Sequence, residues 1–233
     1  MKIKLIDEYN ADGHLIYIEN YPGAFVRGKT LQECLDKLPA EIEKYSLWAG
    51  IGISVDKIEA ETVQKKLSEL NIRDADSDIL FNCENEPLTK SEYEYFKSLT
   101  LKSAQDFLSL YKSIPDKDVT SLLPRETFYG KRPLTAREMY VHTKNVNSYY
   151  FAEIDVNADN YLDIYTCRLN GFAELEKKPD FLKNEVFLGS YDEQWSLRKI
   201  FRRFIWHDRI HAKAMYRMAT KLFGNSISNP FYF

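Results

Sequence analysis

Apolar and polar residues exchange one for one in KIKLIDEY at the start of the chain, the two-residue period of a strand with one buried face. Asn10-Ala11-Asp12-Gly13 is a turn, and HLIYIENY resumes the alternation, so the opening predicts a hairpin. Tyr21-Pro22-Gly23 interrupts the chain and AFVRG supplies a third short strand. The period then changes. Thr30 offers an N-cap with Glu33 three residues on, and Leu31, Cys34, Leu35, Leu38, Ile42 and Tyr45 recur near helical spacing, with Pro39 expected to kink or divide the helix. Beyond it, ETVQKKLSEL predicts a short helix and DADSDILFNCENEPLT a mostly polar connector.

From Thr89 the pattern is that of long helices. The first covers about 90–113, with an apolar stripe of Tyr93, Phe96, Leu99, Leu101, Phe107, Leu108 and Tyr111, and Pro115 ends it. KDVTSLLPRETFYGKRP is a connecting loop. A second helix runs near 135–154, opened by Thr135 with Glu138 in a second capping box. A third falls near 160–177, stopped by Pro179, and a fourth near 192–223, closed by Gly224. Four helices joined by loops predict an up-down bundle, with crossover connections as the alternative. The whole reads as an α+β two-domain chain: an α/β module over 1–75, a linker at 76–90, a four-helix bundle over 91–224 and a tail at 225–233.

Composition adds exclusions. With 233 residues the chain can bury a large core, and 44% hydrophobic against 29% charged residues is the balance of a folded globular protein. A net charge of −3 gives no global basic field for nucleic acid. Cys34, Cys83 and Cys167 are far apart, odd in number and form no Cys-x-x-Cys pair, which points to reduced thiols rather than a disulfide framework or a thiolate zinc site. The N-terminus has no continuous apolar run of the signal-peptide kind, and no segment reaches the length of a membrane span, so a cytoplasmic location is expected.

The candidate chemistry lies in IFRRFIWHDRIHAKAM. His207 and His211 stand four apart, on one face of the last helix, where two imidazoles can grip one ion. Phe204, Ile205, Trp206, Ile210 and Met215 make much of this helix apolar, and buried imidazoles need partners. His142 sits mid-way along the second bundle helix amid Met139, Tyr140, Val141, Val146, Tyr149 and Tyr150, and could complete a set of three nitrogens. Three histidines leave a coordination position for water or substrate, as catalytic sites do. HDRIH also invites comparison with the H-E-x-x-H metalloproteases, but Asp208 stands where their Glu general base would be and no His or Glu follows His211. His14 follows a turn and is expected at the surface.

Two resemblances follow from these residues. YPGAFVRGKTLQECLDKLPAEIEKYSLW resembles the HicB antitoxin-like module, with its Pro-Gly turn into a strand ending in Gly, a Thr-capped helix and an aromatic close. That implies a small α/β unit used for protein–protein contact. TAREMYVHTKNVNSYYFAEI and SLRKIFRRFIWHDRIHAKAM resemble the DinB/YfiT-like four-helix bundles, over roughly residues 90–224, with one His in the second helix and an HxxxH pair in the last. The resemblance implies a divalent metal, zinc or nickel, on His142, His207 and His211. It also implies metal-dependent transferases, isomerases and hydrolases that use low-molecular-weight thiols, alongside members without known activity.

Other residues carry ordinary explanations beside functional ones. Arg203, one turn before His207, could orient an anionic substrate, but the basic run Arg198-Lys199-Arg202-Arg203 reads as a water-facing stripe. Glu138 could serve as a base, although its capping box already accounts for it. Tyr149 and Tyr150 could line a pocket or belong to the core. Asp208 could orient an imidazole, but lies about 100° round the helix from His207, where a surface ion pair is the expectation. The reading is a metal-dependent enzyme that activates a thiol or water, of thiol S-transferase or hydrolase type, acting on a small electrophile, with a homodimer expected. The alternative is a non-catalytic, metal-stabilised stress-response or binding protein whose HicB-like module recruits a protein partner. A DNA- or toxin-binding antitoxin is a third class, disfavoured by charge and by the lack of a helix-turn-helix pattern.

Overall fold

In the computed structural model, which describes residues 2–52, 58–127 and 130–233, the opening alternation becomes β1 (Lys2–Asn10) and β2 (Gly13–Ile18), an antiparallel hairpin closed at Asn10 and Gly13. Outside the described residues lie Met1, 53–57 inside the expected 1–75 module, and 128–129 inside the loop after Pro115. Gly13 has φ +145°, and a Cβ there would stand 2.5 Å from the Gly28 carbonyl oxygen, so the turn packs too closely on the next strand for any side chain. β3 (Phe25–Gly28) pairs with β2, and the sheet order is β3-β2-β1-β4.

The fourth strand corrects the sequence reading. The first seven residues of the expected short helix ETVQKKLSEL belong to β4 (Glu59–Leu67), which runs parallel to β1 at the sheet edge. Local propensity favours a helix, but β1 would otherwise present unpaired backbone groups, and tertiary pairing overrides propensity. The strand's charges suit an edge, and Lys66 pairs with Asp78 across from it.

α1 (Leu31–Ala49) begins as expected: Thr30 Oγ1 accepts from Glu33 N at 3.2 Å, and Glu33 Oε2 accepts from Lys29 N at 2.8 Å. It runs through Pro39 undivided, because Pro39 lies on the exposed side, where the carbonyl it frees can be hydrated. α2 (Lys90–Ser113) matches its expected span. β5 (Glu126–Thr127) and β6 (Gly130–Lys131) form a small ladder in the connection that follows. α3 (Ala136–Ala152) and α4 (Ile164–Leu175) come next, the latter capped by Asp163 accepting from Tyr165 N and Thr166 N at 3.0 Å. β7 (Phe187–Leu188) pairs with β8 (Gln194–Trp195), which occupies the stretch where the last helix is expected to start, so α5 covers Leu197–Phe223.

In the helical part, α2 lies beside α4 and α5, and α3 also lies beside α4 and α5. The consecutive helices α2 and α3 are therefore diagonal, and residues 114–135 cross the end of the bundle, which is the crossover alternative rather than a simple up-down ring. α4 and α5 form the other diagonal.

Sheet and helices share buried surface. Ile3, Leu5, Ile16 and Ile18 join α1 and the bundle residues Phe107, Ile205 and Met215 in one apolar cluster. The opposite sheet face, Ile6, Leu15 and Tyr17, buries against Ile72, Ile79, Phe81 and Trp206 of α5. The fold is thus mixed α+β, and among the described residues no helix is long and apolar enough to cross a membrane.

Candidate metal centre

α5 carries two of the three histidines, and its environment differs from the sequence expectation. Ser196 opens it by accepting from Lys199 N at 3.2 Å. The run Arg198-Lys199-Arg202-Arg203 does not face water. Lys199 is fully buried and pairs with Glu193 at 2.8 Å, Arg202 pairs with Glu84 at 2.5 and 2.9 Å, and Arg198 donates to the carbonyls of Glu86 and Pro87. Farther along, Arg209 pairs with Glu41 of α1 at 2.7 Å. The physical reason is that α5 is enclosed on nearly every side, so each cation must meet an anion or carbonyl from the element it faces.

Asp208 follows the same rule, and its expected surface ion pair is corrected. It is 0% exposed, accepts from Arg168 Nη1 at 2.5 Å and Nη2 at 3.2 Å, and accepts from Ser103 Oγ at 2.7 Å. Burial pushes its carboxyl up, and the Arg168 charge opposes that. The pair spans the centre of the bundle between the diagonal helices α4 and α5, with the Arg168 guanidinium 4.1 Å from the Phe204 ring centre. Sequence held a usable signal for this: Asp208 falls on the apolar stripe of α5, seven residues from Phe201, four from Phe204 and seven from Met215, where a carboxylate cannot be solvated.

α3 delivers the third histidine. Thr135 Oγ1 accepts from Glu138 N at 3.1 Å, while Glu138 Oε2 accepts from Leu134 N at 2.8 Å and Thr135 N at 3.1 Å. These backbone donors hold the Glu138 carboxyl below its ordinary range. One turn on, His142 meets α5. His142 Nε2 and His207 Nε2 lie 3.2 Å apart, and the ring centres of His211 are 4.7 Å from His142 and 4.5 Å from His207. One ligand atom from each of the three lies within 4.8 Å of the others, and all three are half-buried.

The donor set fits a metal ion. Two nitrogens held about 2.05 Å from a tetrahedral ion stand about 3.3 Å apart, the spacing of the facing Nε2 pair. The group contains imidazoles only, which suits zinc, nickel, copper or iron over calcium or magnesium. Desolvation, followed by the His211 and His142 charges, holds His207 well below the ordinary histidine range. Desolvation and then His142 bring His211 down to about 3, and burial lowers His142. All three imidazoles are therefore neutral at pH 7, the protonation state a metal ligand requires. His207 Nδ1, on the far side of the ring from the facing Nε2 pair, is buried with no hydrogen-bond partner among the described residues.

Around the trio, Tyr150 sets its ring edge against His207 at 6.2 Å, and Tyr149 packs on Tyr150 at 5.5 Å and Trp195 at 5.9 Å. Arg203 donates to the Ser77 carbonyl at 2.7 Å, with its guanidinium 4.8 Å from the Trp206 ring centre and 5.6 Å from that of Tyr150. His14, expected at a surface, is part-buried and bonds Asp7 at 2.9 Å. On its other side the trio opens: His211, Met139 and Ile210 line a cavity of about 510 Å³. No family model, curated protein or solved structure matches this chain, so the centre rests on its own geometry.

Proposed function

We propose that this protein is a divalent-metal-dependent enzyme of the DinB-like kind, with zinc or nickel held by His142, His207 and His211. When bound, the ion would supply a Lewis acid that lowers the pKa of a thiol or water, the basis for a thiol S-transferase or hydrolase reaction on a small electrophile. The observation that carries the reading is the convergence of three neutral imidazoles beside a cavity of about 510 Å³ that one of them lines. A purely structural ion would be sealed by side chains, and His211 instead faces open space. Tyr150 and Phe204 wall the other side with apolar surface that keeps bulk water from it.

Elemental analysis of protein purified without chelator or a nickel column tests the reading, beside the His142→Ala and His207→Ala variants. Near-stoichiometric metal in the parent, lost in both variants, supports it and leads to thiol-transfer assays. Metal absent from the parent, or indifferent to His142, overturns it.

A further inference from the structure

The cavity beside His211 has a lining unlike the rest of the molecule. Its cations are Arg27, Arg73, Arg125, Arg132, Lys213 and Arg217, and its one carboxylate, Asp74, is already paired with Arg125. The chain as a whole carries a net charge of −3, so this is a local concentration rather than a general bias. Among the described residues, Arg73, Arg132 and Arg217 make no ion pair with a carboxylate, and Arg132 Nε is buried without a hydrogen-bond partner. Like charges crowded round one hollow repel each other, a cost that an anionic occupant would remove.

The elements that build the cavity come from distant parts of the chain, α3 adding Met139 to the four that carry its charges. β3 contributes Arg27 and Phe25, and the 72–74 turn contributes Arg73 and Asp74. The 114–135 crossing contributes Leu122, Arg125 and Arg132. α5 aligns His211, Ala214 and Arg217 at helical spacing, so the metal centre and the cationic wall share one face. Arg27 Nη1 donates to the Arg73 carbonyl at 2.9 Å, which ties the sheet to the turn beside it. Apolar surface from Phe25, Leu122, Met139 and Ile210 leaves room for a carbon skeleton between charged ends. The volume is that of a small-molecule site.

We infer that the substrate of this site is a small polyanion carrying two or more carboxylate or phosphate groups, held by the arginines of this cavity with its reacting atom toward His211. The inference deepens the enzyme reading and rests on it for the reaction, but the anion site can be tested alone. It also gives the N-terminal sheet a role as one wall of the substrate site.

The test is calorimetric titration of the purified protein with glutarate and with propane-1,3-diyl bis(methyl phosphate), two dianions of equal charge, using neutral glutaramide as control, alongside measurement of metal content. The dianions should bind, glutaramide should not, and the Arg73→Gln/Arg217→Gln double variant should weaken binding by about tenfold or more, the loss of at least one charge-assisted contact. Both residues are exposed, so the variant is expected to fold and to keep its metal. Preference for one dianion over the other identifies which acid group the substrate carries. Equal binding of glutaramide, no binding of either dianion, or binding untouched by the double variant overturns the inference. Dianion binding in a protein that holds no metal would preserve the anion site and remove the metal reading; metal without dianion binding would do the reverse.

Discussion

Arg168 of α4 grips Asp208 of α5 across the middle of the bundle, with both side chains 0% exposed and Asp208 next in sequence to His207 of the histidine trio. Their pairing fixes the rotation of α5 about its axis, and so the direction in which His207 and His211 point. Replacing Asp208 with Ala leaves the Arg168 charge buried without its partner, and such losses cost about 3–5 kcal/mol. The expected outcome is a marked fall in the midpoint of urea unfolding. Replacing both residues by apolar ones of similar volume, Arg168→Met with Asp208→Leu, should recover most of that stability. If the single variant proves as stable as the parent, the pair does not anchor the helix.

Glu138 separates a structural role from a chemical one. Its carboxylate is committed to the Leu134 and Thr135 amides at the start of α3. Glu138→Ala should cost about 0.5–2 kcal/mol in thermal unfolding, the range for a lost helix cap, with metal content unchanged. A loss of metal at full stability would contradict that assignment.

Removing the metal should destabilise the fold by linkage. An ion present at about 100 times its Kd stabilises the folded state by about 2.7 kcal/mol. Chelator should therefore lower the melting temperature of the parent, and re-added zinc should restore it. His211→Ala should melt at one temperature with or without chelator. A parent insensitive to chelator would count against the centre.

The metal-free protein should also lose stability in mild acid. His211 falls from the ordinary 6.5 to about 3 in the fold. The unfolded chain therefore binds protons first, and stability declines as pH falls from about 6.5 toward 3. Buried Glu8, pushed up to about 7 by desolvation, acts in the opposite sense: its contribution is present below 4.5 and fades as pH rises through 7. Comparing parent and His211→Ala melting temperatures across this range subtracts Glu8 and isolates the histidine. The gap between them should widen in the variant's favour as pH falls; a constant gap would show that His211 is not held neutral by the fold.

The parts of this molecule legible in the sequence are those set by short-range chemistry. The capping pairs Thr30–Glu33 and Thr135–Glu138 and the change of pattern at Thr89 mark true helix starts, and the hairpin turn lies where the alternation breaks. The three histidines share a volume, as spacing and apolar surroundings suggest. Long-range pairing was not legible. β4 exists because β1 has a free edge, a fact no window of nine residues contains. The inward turn of Lys199, Arg202, Asp208 and Arg209 depends on partners far off in sequence, so charge alone misplaces them at the surface. The basic cavity is hidden for the same reason: its cations come one or two at a time from four separate elements, within a chain of acidic net charge.

The central position of α5 also bears on the order of assembly. Arg209 meets Glu41 across 168 residues and Arg202 meets Glu84 across 118, so the earlier elements wait for the last helix to supply their counter-charges. During synthesis the sheet, α1 and α2 emerge with Glu41, Glu84, Tyr17 and Phe81 still lacking their cover. Closure of those long loops must precede the gain from the contacts they allow, which slows folding. Cooperative folding thus waits on α5, and the histidine trio, whose second and third members lie on that helix, is among the last features to form.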